Sequence, residues 1–325
     1  QTSQIKSIKS KSILNSMSIN ERLKNIFVGN KELLKSNEIP SIAVYGETLP
    51  ETWETAVIAV NEFGSRIPTE YDQEVDPESR DATVMLTILN PLKEPRIHKA
   101  LPCGYDDLEI YTREVVDGVH DCWVKERGWS YSYHDRLINW PGLGSWEKID
   151  GNLGGQFDLP FLNQIDELVN KLTEAPHSRR AQAITWVPFI DAQHHEPPCL
   201  QRIWCRVVRS DKDKYLLEMN THWRSRDAFK AALMNIYAIT TLQETIANRI
   251  SEVSGKDVGV GRYVDVSDSF HIYGSYIRKG EIDRFMQNIN NKPFESRTVR
   301  SDNPLVQKEF ARGKEKLSKE KNAGN

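Results

Sequence analysis

Cys199 stands between the rigid turn Glu196-Pro197-Pro198 and a β-prone run, Leu200–Val208, so its thiol sits at the mouth of an expected strand. A thiol there is either a nucleophile or an inert wall. The first role requires thiolate, and therefore positive charge nearby. Ser178-Arg179-Arg180 and Arg224-Ser225-Arg226 can each supply it. Arginine forks beside a serine, at the ends of elements, also suit a phosphate monoester; ordinary solvated charge is the alternative. A helix expected to start at Asp227 adds orphan N–H groups to the second arginine group. Asn235 interrupts the apolar face of that helix, where its amide must find partners or read a planar amide edge. Cys205 alternates with Ile203 and Val207 and reads as core, while Cys103 and Cys122 carry no motif. His194, His195, Cys199 and Cys205 lack the spacing of a zinc site, so no metal is expected.

The elements that must position these groups have readable periods. Ala82–Leu89 is apolar and β-prone, closed by Asn90-Pro91. Phe161–Leu172 places Leu162, Ile165, Leu168, Val169 and Leu172 at helical spacing, with Pro176 as a stop. Leu200–Val208 and Tyr215–Asn220 flank a hairpin turn, and a strand is expected over Ala181–Val187. A long helix is expected from Asp227, its N-cap, to Ile250, with Phe229, Leu233, Ile236, Ile239 and Leu242 along one stripe. Strands and helices mix without βαβ alternation, which predicts an α+β fold in a single large domain. No dinucleotide or phosphate-loop glycine motif occurs, and Gly151-Asn-Leu-Gly-Gly has the wrong spacing for one.

Composition bounds the reading. Forty-three basic residues against 46 acidic ones, a net charge of -3, exclude a globally basic nucleic-acid binder in a chain of 325 residues. No apolar run approaches a membrane span, and four cysteines without a CxxC pair make no disulfide scaffold. A soluble, cytoplasmic protein is expected. Residues 1–25, serine- and lysine-rich at their start, read as a flexible arm; 26–298 as the catalytic domain; and 299–325 as a charged, solvated helix or tail without an apolar face. The chain opens on Gln1 rather than Met, so the native start is expected upstream.

In order, these pieces resemble the thymidylate synthase family. Gln164-Ile165-Asp166 through Ser178-Arg179-Arg180 is similar to the family's helix and double-arginine phosphate motif. Trp186-Val-Pro188, Asp191 and Pro197-Pro198-Cys199 resemble the segment ending in the nucleophilic cysteine. Arg224-Ser225-Arg226-Asp227 resembles Arg-Ser-x-Asp, Asn235 falls at the spacing of the uracil-reading asparagine, and Phe270-His271-Ile272-Tyr273 resembles the sugar-binding His-x-Tyr. The resemblance spans about Tyr131 to Tyr276 and implies a mixed β-sheet with a long buried helix, in a homodimer. It implies reductive methylation of dUMP at C5 with 5,10-methylenetetrahydrofolate as co-substrate. Cys199, Glu109 and Tyr131 would be catalytic. Arg224 and Ser225 would hold the phosphate, joined by Arg179 and Arg180 from the partner subunit. Asn235 would read uracil, His271 and Tyr273 the sugar hydroxyl, and Asp227 the pterin ring.

The chain also departs from the family. Its first hundred residues lack the Arg-Thr-Gly-Thr phosphate loop, for which Arg80 is the nearest substitute. Leu108-Glu109-Ile110-Tyr111 to Asp117-Gly118 is the closest match to the catalytic-glutamate helix. Tyr131-Ser-Tyr133-His134-Asp135-Arg136 resembles Tyr-Gly-x-Gln-Trp-Arg in outline. Leu200 follows the cysteine where bacterial and animal members have His, and Trp223 replaces Gln, a pattern closer to archaeal members. A closing C-terminal tail is not recognisable. A uracil or cytosine nucleotide 5-hydroxymethylase of the same family is therefore the second reading. The third is a non-catalytic nucleotide- or RNA-binding relative using the lysine-rich arm and basic C-terminal segment.

Overall fold

The computed structural model describes residues 26–28, 38–142 and 161–323; the expected arm over 1–25 and the Gly151-Asn-Leu-Gly-Gly run lie outside them. The central strand β4 (Ser79–Ile88) follows from its sequence: Ala82, Val84, Leu86 and Ile88 alternate inward and are fully buried. It pairs parallel with β2 (Ser41–Gly46) and antiparallel with β10 (Asp257–Ile272). Beyond β10 lie β8 (Lys214–Trp223), parallel to it, and β7 (Leu200–Arg209), antiparallel to β8. Short strands extend this sheet: β1 (Ile26–Val28) on β2, β3 (Ser65–Ile67) on β4, β6 (Gln182–Ile184) on β7 and β9 (Arg226–Asp227) on β10. A separate ribbon joins β5 (Ile97–His98) to β11 (Thr298–Val299).

The longer helices are α1 (Leu49–Phe63), α2 (Tyr105–Asp117), α3 (Gln164–Glu174), α4 (Ala232–Ser254), α5 (Glu281–Asn291) and α6 (Pro304–Ala323). Helix α4 is the long buried helix. Leu233, Ile236, Ile239, Ile246 and Ile250 are almost wholly shielded, each contributing roughly 1.5–3 kcal/mol by leaving water. Its one deeply buried amide, Gln243, donates to the Leu217 carbonyl at 2.8 Å. A mixed sheet with such a helix is the α+β fold expected. No helix among the described residues is long and apolar enough to cross a membrane.

Two expectations are corrected. The long helix begins at Ala232, not after Asp227. Asp227 lies in β9, and its Oδ1 accepts the N–H groups of Phe229 and Lys230, capping the turn before the helix. The charged tail is also not a free segment. Helix α6 buries Val306 and Phe310, an i,i+4 pair too short to register as an apolar face, and packs on α2. Gly313 permits the approach, because a Cβ there would lie 2.6 Å from the Asp106 carbonyl. Three lysines of the segment pair within the chain: Lys316 with Asp106 at 2.7 Å, Lys314 with Glu109 at 3.5 Å and Lys319 with Glu315 at 2.7 Å.

The approach to Cys199 is anchored by a buried ion pair. Arg136 Nη1 and Nη2 donate to the two Asp191 oxygens at 2.9 Å each, Nη1 also donates to the Thr185 carbonyl, and Asp191 accepts the Val187 N–H at 2.6 Å. Removing one partner leaves a buried guanidinium uncompensated. Asp191→Ala should therefore lose about 3–5 kcal/mol in urea unfolding, and a loss below about 1 kcal/mol would contradict this assignment.

Candidate active site

Strand pairing gathers residues that are far apart in sequence. Leu200 pairs with Trp223 at the end of the β7–β8 hairpin, and the Arg224 N–H donates to the Cys199 carbonyl at 2.9 Å. Two residues on, β9 pairs with β10 so that Asp227 lies opposite His271. One sheet end thus carries Cys199, Arg224, Ser225, Asp227, His271 and Tyr273.

Cys199 is half-buried. Arg224 Nη2 lies 3.7 Å from its Sγ while the same guanidinium donates to the carbonyls of Pro197 and Pro198 at 2.6 and 3.1 Å, which fixes the Pro-Pro-Cys turn. Burial pushes the thiol above its usual range, Arg224 and Arg226 pull it back, and Glu196 raises it. Thiolate, the reacting form, therefore grows about tenfold per pH unit through neutrality in the free protein. Iodoacetamide labelling of Cys199, followed by peptide mass spectrometry, should rise steadily to at least pH 9. A plateau below pH 8 would contradict the buried-thiol account. Cys103 serves as an internal control, since burial and Asp107 push its thiol up to about 11.

Arg226, the unassigned position of the Arg-Ser-x-Asp motif, is almost wholly buried. It bonds Asp265 at 2.5 Å and stacks 3.7 Å over the Trp223 ring, so that Trp223 forms an aromatic seat for this cation. Its charge reaches both Cys199 and Tyr111. The sequence named its group as a source of positive charge for Cys199, but gave no signal for its burial against Asp265 and Trp223.

The ring of Tyr131 lies 5.4 Å from that of Tyr133, and its phenol is near enough to Cys199 to interact with it electrostatically. Burial raises its phenol, so it keeps its proton at neutral pH. Asn235 Nδ2 donates to the Tyr111 hydroxyl at 2.5 Å, which orients the amide. Tyr111 was not singled out in sequence; an aromatic on an amphipathic helix looks like ordinary core.

His271 is 6 % exposed, and its ring lies 4.7 Å from that of Tyr273. Its Nδ1 is 3.1 Å from Ser269 Oγ, which donates to Asp81 at 2.8 Å. Burial pulls the imidazole below its usual value, against Asp227 and Asp81, so it is neutral at pH 7. With the serine proton on Asp81, Nδ1–H donates to Ser269 and Nε2 becomes an acceptor. That Nε2 is buried without a protein partner, which suits a ligand hydroxyl. Asp227 Oδ2 accepts the Tyr276 hydroxyl at 2.7 Å beside it.

Four expected members lie elsewhere. Glu109 is on another face of α2, bonded to Arg113 at 2.9 Å and near Lys314; helical rotation of about 100° per residue separates it from Tyr111. Arg80 sits with Arg66, Glu78 and Glu62. Arg179 and Arg180 project, exposed, from the turn before β6, and neither bonds a residue of the Cys199 group.

Comparison with known proteins agrees with this arrangement. The family model for thymidylate synthase matches residues 121–314. A relative from Methanocaldococcus jannaschii named "Putative thymidylate synthase" is 30% identical over 240 residues, covering 72% of this chain and 88% of that one. A relative of the same name from Methanosarcina barkeri is 26% identical over 230 residues, 71% and 88% of the two chains. Among solved structures, thermostable thymidylate synthase A from Bacillus subtilis shares the fold at a TM-score of 0.50 and 16% identity, covering 74% of this chain and 84% of that one. The ordered motifs, the sheet end that gathers them and the family match agree: the chain belongs to the thymidylate synthase family.

Proposed function

We propose that this protein methylates dUMP at C5, with 5,10-methylenetetrahydrofolate as the one-carbon and hydride donor. The observation that carries the reading is the juxtaposition of Cys199 with Arg224, 3.7 Å from Sγ, on the sheet end that also bears Ser225, His271 and Tyr273. Cys199 Sγ adds to C6 of the pyrimidine, and C5 becomes the nucleophile. Arg224 and Ser225 hold the phosphate. Tyr131 stands beside the cysteine with its phenol protonated, and Asn235 reads N3–H and O4. His271, with Nε2 as acceptor, takes the deoxyribose hydroxyl beside Tyr273.

Asp227 suits the pterin ring: it is a carboxylate already fixed by two backbone donors and Tyr276. Two residues on, Phe229 opens onto a cavity of about 490 Å³ with Phe285 in its wall and Lys99, Arg284 and Lys292 among its cations. An apolar floor with a basic rim fits a ring bearing an anionic tail. The folate supplies carbon and hydride; the protein binds, orients and keeps water out.

We further propose a homodimer. The sheet face turned away from the helices carries part-exposed Met85, Trp204, Val208, Leu216 and Val266, an apolar patch suited to a second copy. Such stacking would let the exposed Arg179 and Arg180 reach the neighbouring site. The 5-hydroxymethylase differs by admitting water to the one-carbon intermediate. Asn235 favours uracil for either outcome, since it offers donor and acceptor together. The internally paired lysines of α6 speak against the RNA-binding reading.

The test is a covalent trap. 5-Fluoro-dUMP with methylenetetrahydrofolate should leave a nucleotide–folate adduct on the Cys199 peptide, because fluorine cannot leave C5 as a cation. No adduct, or one confined to Cys103 or Cys122, would overturn the proposal.

A further inference from the structure

A guanidinium is costly to bury, and the Cys199 site keeps one behind its wall. Arg226 is 2 % exposed. Its Nη1 donates to Asp265 at 2.5 Å and its Nη2 to the Ala232 carbonyl at 3.3 Å, while Nε has no partner among the described residues. Its Cζ lies 3.7 Å over the Trp223 ring centre. Trp223 pairs with Leu200, the residue after the cysteine, and meets the Tyr133 ring edge-on at 5.7 Å. A buried ion pair adds little stability over apolar side chains of similar volume, and here one N–H is left unsatisfied. Packing alone gives no reason for it.

Two groups of the site feel this charge. One is the Cys199 thiol; the other is the Tyr111 phenol, to which Asn235 is bonded. The charges acting on the thiol are Arg224, Arg226 and Glu196, and Asp265 is not among them. The Asp265 carboxylate is shared with two further donors of its own strand, Tyr263 at 2.8 Å and Ser267 at 3.0 Å. The phenols of Tyr131, Tyr133 and Tyr273 also face Cys199, and burial keeps all three protonated. Toward Arg226 itself stand Asp265 and Tyr263 of β10 and Tyr111 of α2.

Arg224 cannot serve the thiol throughout the reaction. In the functional reading its guanidinium meets the nucleotide phosphate, whose negative charge offsets it when the thiolate is needed. Arg226 keeps the same partner, Asp265, whether or not substrate is bound. We propose that Arg226 is the positioning cation of the site, steadying negative charge on the Cys199 sulfur before addition and on the pyrimidine C4 oxygen after it. The inference rests on the reading given under Proposed function. In the addition step the sulfur lone pair forms S–C6, the C5–C6 π pair moves into C4–C5, and the carbonyl π pair moves to O4. One negative charge passes from sulfur to O4, and nothing is oxidised or reduced. Cys199 marks the first end of that path, Asn235 and Tyr111 the second. A cation felt at both ends favours both states. Arg226 makes no hydrogen bond to Cys199 and acts through space.

The experiment measures iodoacetamide labelling of Cys199 by peptide mass spectrometry from pH 6 to 10, with dUMP calorimetry and methylation kinetics alongside. Arg226→Gln combined with Asp265→Asn removes both charges and leaves no buried ion unpaired. It should move the labelling profile up by about one pH unit, about a tenfold slower reaction at pH 7, the low end for losing a nearby opposite charge. Its kcat should fall by about tenfold or more, with dUMP affinity within about threefold of wild type. Arg226→Lys keeps the charge and should hold the profile at the wild-type position. If the paired variant does not fold, Arg226→Met with Asp265→Leu, an apolar replacement that buried ion pairs often tolerate, carries the same readout. An unshifted profile in the folded paired variant would overturn this proposal. So would an equal shift in Arg226→Lys, which would make packing the cause. Wild-type protein that binds no dUMP would overturn the functional reading and the C4-oxygen half of this one, a failure that the labelling profile does not share.

Discussion

Cys199→Ser should bind dUMP almost normally yet lose turnover by on the order of 10⁴-fold or more, the scale seen when an enzymatic nucleophile is removed. The hydroxyl keeps the shape of the side chain. Arg224 still bonds the Pro197 and Pro198 carbonyls, so the phosphate site is undisturbed. What disappears is the soft, ionisable sulfur. A serine hydroxyl beside the guanidinium ionises far above any working pH, and no general base lies among the bonded partners of Cys199. Calorimetry for dUMP and single-turnover kinetics separate the two effects. Retained turnover would remove the covalent step, whereas lost binding would show that the sulfur is structural.

Asn235→Asp should invert base preference, favouring dCMP over dUMP by a swing on the order of 10⁴-fold, because sites built to hydrogen-bond reject a mismatched edge at this scale. Asn235 now donates through Nδ2 to Tyr111 at 2.5 Å, leaving Oδ1 to accept uracil N3–H. Cytosine presents an N4 amine and a bare N3, which a protonated carboxyl matches and a fixed amide does not. The phenol of Tyr111 can donate to an oxygen of the new carboxyl group, so the helix pair need not move. Relative kcat/KM for the two nucleotides reads the swing directly. An unchanged preference would place base recognition elsewhere.

The site was legible where one strand end or turn carries the chemistry. Cys199, the Arg224-Ser225-x-Asp227 group and His271-x-Tyr273 were legible as motifs; the alternation of β7 is plain in sequence, whereas β9 and β10, whose register brings the groups together, were not read as strands. Helix faces were harder. Glu109 and Tyr111 differ by two residues on one amphipathic helix, and its packing between α4 and α6 decides which face meets the site. The docking of α6 was hidden because Val306 and Phe310 are its only buried apolar side chains, set among charged residues. Asp227 was misread as a helix cap for a related reason: it does cap backbone N–H groups, but those of a turn. Arg226 and the Asp81–Ser269–His271 chain depend on contacts across strands distant in sequence, which no local pattern encodes.

Mass spectrometry of the nucleotide after incubating the protein with dUMP and 5,10-methylenetetrahydrofolate tests the central claim most directly. The account predicts a C5-methylated nucleotide with an equal amount of dihydrofolate. A hydroxymethylated nucleotide with tetrahydrofolate released, or dUMP left unchanged, would contradict it.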